Sequence, residues 1–381
     1  MIWPVKKLGD ILSTAEIFTD GDWVESKDQD VNGSIRLLQL ADIGDGNFIN
    51  KSNRFINEST FIRLKCTEVQ LGDILIARMP DPLGRACIFE GISQKCITVV
   101  DVCIIRVDSN IVDARWLMHA INSDSVRRQI SSFAKGATRV RISRKNLSHI
   151  QIEFPPLAEQ QRIAAVLDTA DRILKQRESA IAKLDQLTQS VFVELFSNDT
   201  KYECEEITLG DCLRFINGRA YSQNELLDAG TPVIRIQNLN GGDRWYYSNL
   251  NLPENKYCDY GDLLFAWSAS FGPYIWNGKK SIYHYHIWKI ETTKKIDKTF
   301  AFYLLQSITQ KIRNASHGAS MLHMTKSGIE AWKIKLPSLA YQMKFVDFIN
   351  QLQPIETAYK KSLQLMTDNT RSIQHQSFAV N

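Results

Sequence analysis

The stretch from Phe154 to Phe196, FPPLAEQQRIAAVLDTADRILKQRESAIAKLDQLTQSVFVELF, limits this chain more than any other. Pro155 and Pro156 end what precedes them and suit the first turn of a helix. Apolar residues then recur at one heptad position as Leu167, Leu174, Ile181 and Leu195. At the companion position they are Ile163, Ala170, Leu184 and Val191, with Arg177 and Thr188 as polar exceptions. A helix of about forty residues is about 60 Å long at about 1.5 Å per residue, longer than an ordinary domain is wide, so its seam requires a second long helix.

The same polypeptide supplies one. FPPLAEQ, starting at 154, returns as LPSLAYQ, starting at 336, and the seam returns in register as Phe345, Ile349, Leu352, Tyr359, Leu363, Met366 and Ile373. Upstream, the run from Lys135 to Ile142 matches the run from His317 to Met324, and QLGDILIAR (70–78) matches YGDLLFAW (260–267). LQLADIGDG (38–46) likewise matches IRIQNLNGG (234–242), and KKLGDIL (6–12) matches ITLGDCL (207–213). Order is kept, so the chain reads as a tandem duplication with a period of about 190 residues, a globular unit followed by a long helix, occurring twice. The expected bounds are 1–153, a helix over 154–198, 199–335, and a helix over 336–381.

Within the first unit, Ser34 to Ile43, Asp73 to Ala77 and Cys96 to Val107 have the β-branched content of strands, while Asn57 to Leu64 and Asp113 to Phe133 read as helices. The mixture lacks a regular βαβ beat, which makes each unit α+β. The second unit repeats the skeleton with other loops: Arg78 to Gly84 reads RMPDPLG where Trp267 to Pro273 reads WSASFGP. Pro354 falls inside the second helical pattern, and an interior proline costs about 3 kcal/mol, so a break is expected there, with a similar bend at Asp168 and Asp171 in the first. Glu356, Thr370 and Ser377 fall on seam positions, so the end of the second helix is expected to fray or to meet a partner. Phe192, Phe196 and Leu187 lie off the strict seam and would mark a docking surface if exposed.

With the PPLAEQQRIAAVLD run closing a unit and GDILIAR and KGATRVRIS inside it, this ordered set resembles the specificity subunit of Type I restriction-modification systems over essentially the whole chain. The resemblance implies two similar α+β target-recognition domains separated by two long helices packed as an antiparallel coiled coil, with pseudo-two-fold internal symmetry. Each domain would read one half of a split double-stranded DNA target, with the helices setting the gap. The chain itself would be non-catalytic and hold no cofactor. Two modification subunits carrying S-adenosylmethionine, and restriction subunits using ATP and Mg, would methylate adenine or cleave. Adding one heptad to a helix of the pair would shift the reading by about 10 Å, or about 3 base pairs.

Candidate DNA contacts follow from charge. Net charge is only +4, so affinity for a polyanion rests on local stripes. From Arg127 to His149 there are seven basic residues, Arg127, Arg128, Lys135, Arg139, Arg141, Arg144 and Lys145, and no acidic one. On a strand, Arg139 and Arg141 share a face suited to phosphates or to the edge of guanine. Arg78 and Arg85 stand in the first unit's variable loop. The second unit offers Arg235, Arg244, Lys279, Lys280, His317, His323 and Lys326, with Trp245, Tyr246 and Tyr247 beside Arg244. Taken singly, each is as well explained as a solvated charge or a core edge.

Other chemistry is poorly supported. His284 and His286 alternate as if on one strand face, but no cysteine or carboxylate stands at ligand spacing. Asp81 and Pro82 are followed by Leu83 and Gly84, not by the Pro-aromatic pair of amino-methyltransferases, and no phosphate-binding glycine loop occurs. Seven cysteines without Cys-x-x-Cys spacing read as reduced core residues of a cytoplasmic, soluble protein, and neither a signal-peptide core nor a membrane-length apolar run occurs. The competing reading is a helical scaffold that joins two protein-binding modules and never meets DNA.

Overall fold

A computed structural model of the chain describes residues 3–134, 140–196, 203–315 and 325–378. Contacts divide it into two compact units, Met1–Glu178 with Lys361–Asn381, and Ser179–Lys360. Packing therefore cuts across the sequence-based bounds, since each unit holds one globular part and a share of both long helices.

The long helices are Leu157–Phe196 and Leu339–Phe378, forty residues each. In the first unit Ile163, Ala164 and Leu167, from the start of one helix, share a buried cluster with Phe378 and Ile373 from the end of the other. In the second unit Phe192 with Val191 and Leu195, from the end of the first helix, share a cluster with Phe345 and Ile349 from the start of the second. Within each unit the helices thus pair antiparallel. The remaining seam residues Leu174, Ile181, Leu184, Leu352, Tyr359, Leu363 and Met366 are half-buried, none fully exposed.

Three helix expectations need correction. The second helix does not break at Pro354. The ring sits on the exposed face, where water can take up the Asn350 carbonyl left without an N–H partner, so the missing bond is tolerated. The first helix is likewise continuous at Asp168, which instead receives His119 Nε2 at 2.8 Å and Arg115 Nη1 at 3.0 Å, tying helix Ala114–Asn122 to it. Nor does the end of the second helix fray: Thr370 Oγ1 donates to the Met366 carbonyl at 2.8 Å, and Phe378, 2% exposed, packs on Trp116. Phe192 and Phe196 are no docking surface, because both rings pack against Phe300 and Phe345, and only Leu187 of the three is exposed.

The two globular parts share the order of their antiparallel sheet and differ in the mixed sheet, which has three strands in the first and four in the second, where Tyr257–Cys258 adds to it. The first has a four-stranded antiparallel sheet in the order Ile17–Asp20, Val102–Arg106, Ile74–Ala77, Ala86–Ile88; the second repeats it as Leu213–Asn217, Ile287–Thr292, Leu263–Ala266, Gly272–Ile275. A mixed sheet follows in each. Ile35–Leu38 runs parallel to Cys96–Thr98, with Phe55–Ile56 beside it, and Thr231–Ile234 runs parallel to Ser281–Tyr283, with Tyr246–Ser248 beside it. A short strand pair closes each part at the foot of its long helix, Val5–Lys7 with Gln151–Glu153 and Cys204–Thr208 with Lys333–Pro337. The expected helix over 113–133 is two, Ala114–Asn122 and Asp124–Phe133, because Ser123 is extended and caps the second; the expected strand over 96–107 is split by a bend at Val99–Asp101.

The repeated motifs prove to be joints. Gly72 and Gly261 take φ of +91° and +84°, which glycine adopts without strain, and the next residues Asp73 and Asp262 cap the turn and pair with Arg106 and Lys289 at 2.8 Å each. The glutamine of LAEQ and LAYQ is fully buried in both copies. Gln160 accepts from the Asp113 amide at 2.9 Å and donates to the Pro155 and Ile111 carbonyls; Gln342 accepts from the Asp297 amide at 2.9 Å and donates to Pro337 and Lys295. Six cysteines are buried, and burial pushes the Cys87 and Cys103 thiols up to about 12. Cys204 is the exception to the core reading, exposed because it opens a closing strand of only two-stranded pairing.

Candidate nucleic-acid interface

Parallel pairing sends the two strands of each mixed sheet in the same direction, so the loops that follow them leave at one edge. In the first unit this edge gathers Arg78, Asp101 and Arg141. The Arg78 amide donates to the Asp101 carbonyl at 2.8 Å, Ile142 donates to the Arg78 carbonyl at 3.1 Å, and Arg141 pairs with Asp101 at 3.0 Å. Arg141 is 40% exposed at its side chain. Arg144 donates to the Phe18 carbonyl at 2.9 Å, and Lys145 is exposed one residue on.

Arg78 and Arg85 do not face outward. Arg78, 3% exposed, turns back to Asp20 at 3.0 Å and the Val100 carbonyl at 2.5 Å. Arg85, 7% exposed, donates to four carbonyls, those of Ile43, Leu40, Met79 and Pro82. Burial pushes both guanidinium values down; Arg85 spends its donors on the chain itself, and Arg78 does so except at Nε, which is buried without a partner, so neither offers a phosphate an accessible donor. A long flexible side chain in a polar loop can as well turn in as out, and spacing alone does not distinguish the two. Lys135 and Arg139 lie outside the described residues.

In the second unit Arg235 follows strand Thr231–Ile234, and Arg235 and Arg244 each lie 5.2 Å from the ring of Tyr246. Trp245 packs at a core edge, 6.3 Å from Trp276. Lys279 and Lys280 precede strand Ser281–Tyr283 while Arg235 adjoins its far end, so the structure does not bring them together; Lys280 pairs with Glu254 at 2.6 Å. Lys326 pairs with Glu330 on a separate helix, Lys326–Glu330. His317 and His323 lie outside the described residues.

The histidines read as strand residues are also corrected. His284 and His286 stand in a tight turn between Ser281–Tyr283 and Ile287–Thr292, closed by the Ile287 amide donating to the His284 carbonyl at 2.9 Å. This turn joins Arg235 and Trp267 at the second unit's edge, where Asn240 donates to Ser270 Oγ at 2.7 Å and accepts from the Tyr274 hydroxyl at 3.0 Å. Aligning HYH with the Val99–Asp101 bend of the first copy would have pointed to it. Among the described residues, no group of three or more His, Cys, Asp or Glu is placed to hold a metal ion, and no helix is long and apolar enough to cross a membrane.

A twice-repeated α+β unit with basic and aromatic loops at one sheet edge, each closed onto antiparallel helices, defines a duplicated recognition protein. The model of the Type I restriction modification DNA specificity domain matches residues 2–183 and again 201–365, and the chain belongs to that family, with two specificity domains in tandem. A putative type I restriction enzyme MjaX specificity subunit of Methanocaldococcus jannaschii is 23% identical over 96% of this chain and 92% of its own length. The StySPI specificity subunit of Salmonella potsdam is 27% identical over 46% of this chain and 39% of its own. The S subunit crystal structure from M. genitalium superposes with a TM-score of 0.60 at 16% identity, covering 100% of this chain and 96% of that one, which shows the shared fold.

Proposed function

We propose that each globular unit reads one half of a split duplex sequence, that the long helices set the spacing between halves, and that the chain performs no chemistry of its own. Adenine methylation or cleavage falls to partners: two modification subunits supplying S-adenosylmethionine, and restriction subunits supplying ATP and Mg chemistry. The observation that carries this is the matching strand order of the four-stranded antiparallel sheets in the two units, combined with different chemistry at the equivalent loops, Val99–Asp101 against His284–His286. One framework with two loop sets suits two base sequences. Family membership disfavours the protein-scaffold alternative.

The test replaces residues 205–335 with the corresponding unit of another family member and maps methylated sites in cells that also hold the modification subunits. One half-site is expected to change and the other to stay. A hybrid that methylates the original sequence unaltered refutes the modular reading. Duplex affinity should also fall steeply with salt, by a slope of about 0.9 per phosphate contacted, which a protein scaffold would not show.

A further inference from the structure

We propose that the His284–Tyr285–His286 turn is the base-reading tip of the second unit, presenting its side chains to base edges of one half-site of duplex DNA. This rests on the reading above and names its specificity-determining residues.

The turn is built as a rigid platform. His284 donates its amide to the Ile234 carbonyl at 2.9 Å, and the Ile287 amide closes the turn on the His284 carbonyl. Trp267 grips the other two residues, its amide donating to the His286 carbonyl at 3.1 Å and its indole Nε1 to the Tyr285 carbonyl at 2.8 Å. Behind it the chain passes so close at Gly218 that a Cβ there would lie 2.2 Å from the His284 carbonyl oxygen. A backbone held at every residue loses little entropy when it binds, which favours selective contact.

The side chains suit bases more than phosphates. Tyr285, 41% exposed, has its ring centroid 4.4 Å from that of His284 and 3.9 Å from that of His286. Burial, with His286 and Arg235 adding to it, pushes His284 down to about 4, so at neutral pH the imidazole is uncharged and offers one donor and one acceptor. A neutral ring of that kind matches a groove edge, where donors and acceptors encode the base, while Arg235 and Arg244 flank it with the charge that phosphates attract. At the equivalent bend the first unit has Val100 and Asp101 beside Arg141, a different set of donors and acceptors.

The test selects duplexes from a randomised pool with the full chain assembled with its modification subunits, comparing wild type with Tyr285→Ala and His284→Gln. Thermal melting confirms that each variant is folded. Discrimination at one to three base pairs of a single half-site should fall about tenfold, with the other half-site as internal control. If folded variants select an unchanged motif, or lose affinity equally for all sequences, the turn does not read bases and the inference fails while DNA recognition stands. If wild type selects no motif, the functional reading itself fails.

Discussion

Replacing Gln342 with alanine should destabilise the second unit and leave the first untouched. The side chain is fully buried and makes three hydrogen bonds, from the Asp297 amide and to the Lys295 and Pro337 carbonyls, all near 2.9 Å. Truncation strands three backbone groups, one at a buried bond and two at part-buried ones, each costing about 1–3 kcal/mol if left dry. Partial entry of water into the space lowers the sum to about 3–5 kcal/mol, a large share of the roughly 5–15 kcal/mol that holds a domain folded. For units of this size that lowers the melting point by on the order of 10 °C. Asp297 also caps helix Lys298–Ala315 through the Thr299 and Phe300 amides, so amide exchange should quicken first at that helix's start. Gln160→Ala should do the same to the first unit, at the start of helix Ala114–Asn122, and the two losses should add within about 0.5 kcal/mol because the sites share no partner. Calorimetry with exchange mass spectrometry reads both. A shift below about 2 °C in either variant, or protection lost in the wrong unit, refutes the assignment of these glutamines as brackets.

Phe378→Ala should cost the first unit about 3–5 kcal/mol, read by urea unfolding, since it empties the seat against Trp116. Arg85→Met should lower the first unit's stability by about 2 kcal/mol or more, because the Ile43 and Met79 carbonyls lose their donor while those of Leu40 and Pro82 keep only the Ile43 and Arg85 amides, whereas Arg141→Ala, at a half-exposed ion pair, should change it by about 1 kcal/mol or less and instead weaken duplex binding. Denaturation and binding titrations separate the two. Burial pushes the Asp22 carboxyl up from 3.8 to about 6, so its contribution to stability is complete below about pH 4 and lost as pH rises through about 6. Asp22→Asn keeps an acceptor for the Thr67 amide and should therefore raise the melting point at pH 8 but not at pH 4; equal shifts at both would contradict the burial argument.

The duplication, the paired helices and the α+β class were legible because periodicity and repeat order reflect burial directly. Ile163, Leu167, Phe345 and Ile349 are buried as their heptad spacing requires. Pro354 was misjudged because propensity takes no account of which face meets solvent. Arg78 and Arg85 were misjudged because a guanidinium bonded to carbonyls and one bonded to phosphate look alike in a string of letters. The LAEQ and LAYQ glutamines were visible as a repeated letter, but their bonds close over gaps in sequence, from 160 back to 113 and from 342 back to 297, which pattern reading does not reach. The alternation of His284 and His286 suggests at most a metal-binding strand face, because the partners that shape the HYH turn, Trp267 and Ile234, lie strands away.

The two units also differ in when they can be completed. Residues 179–360 form one continuous run, so on the ribosome the second unit has all of its partners once Lys360 has emerged. The first unit joins residues 1–178 to residues 361–381, made after the whole of the second, and its seat at Trp116 stays open until Phe378 arrives. Closing that long gap is entropically slow, and the waiting apolar surface is what chaperones and proteases bind. A chain that lacks residues 361–378 would thus hold one finished unit and one whose seat at Trp116 stays open to such binding.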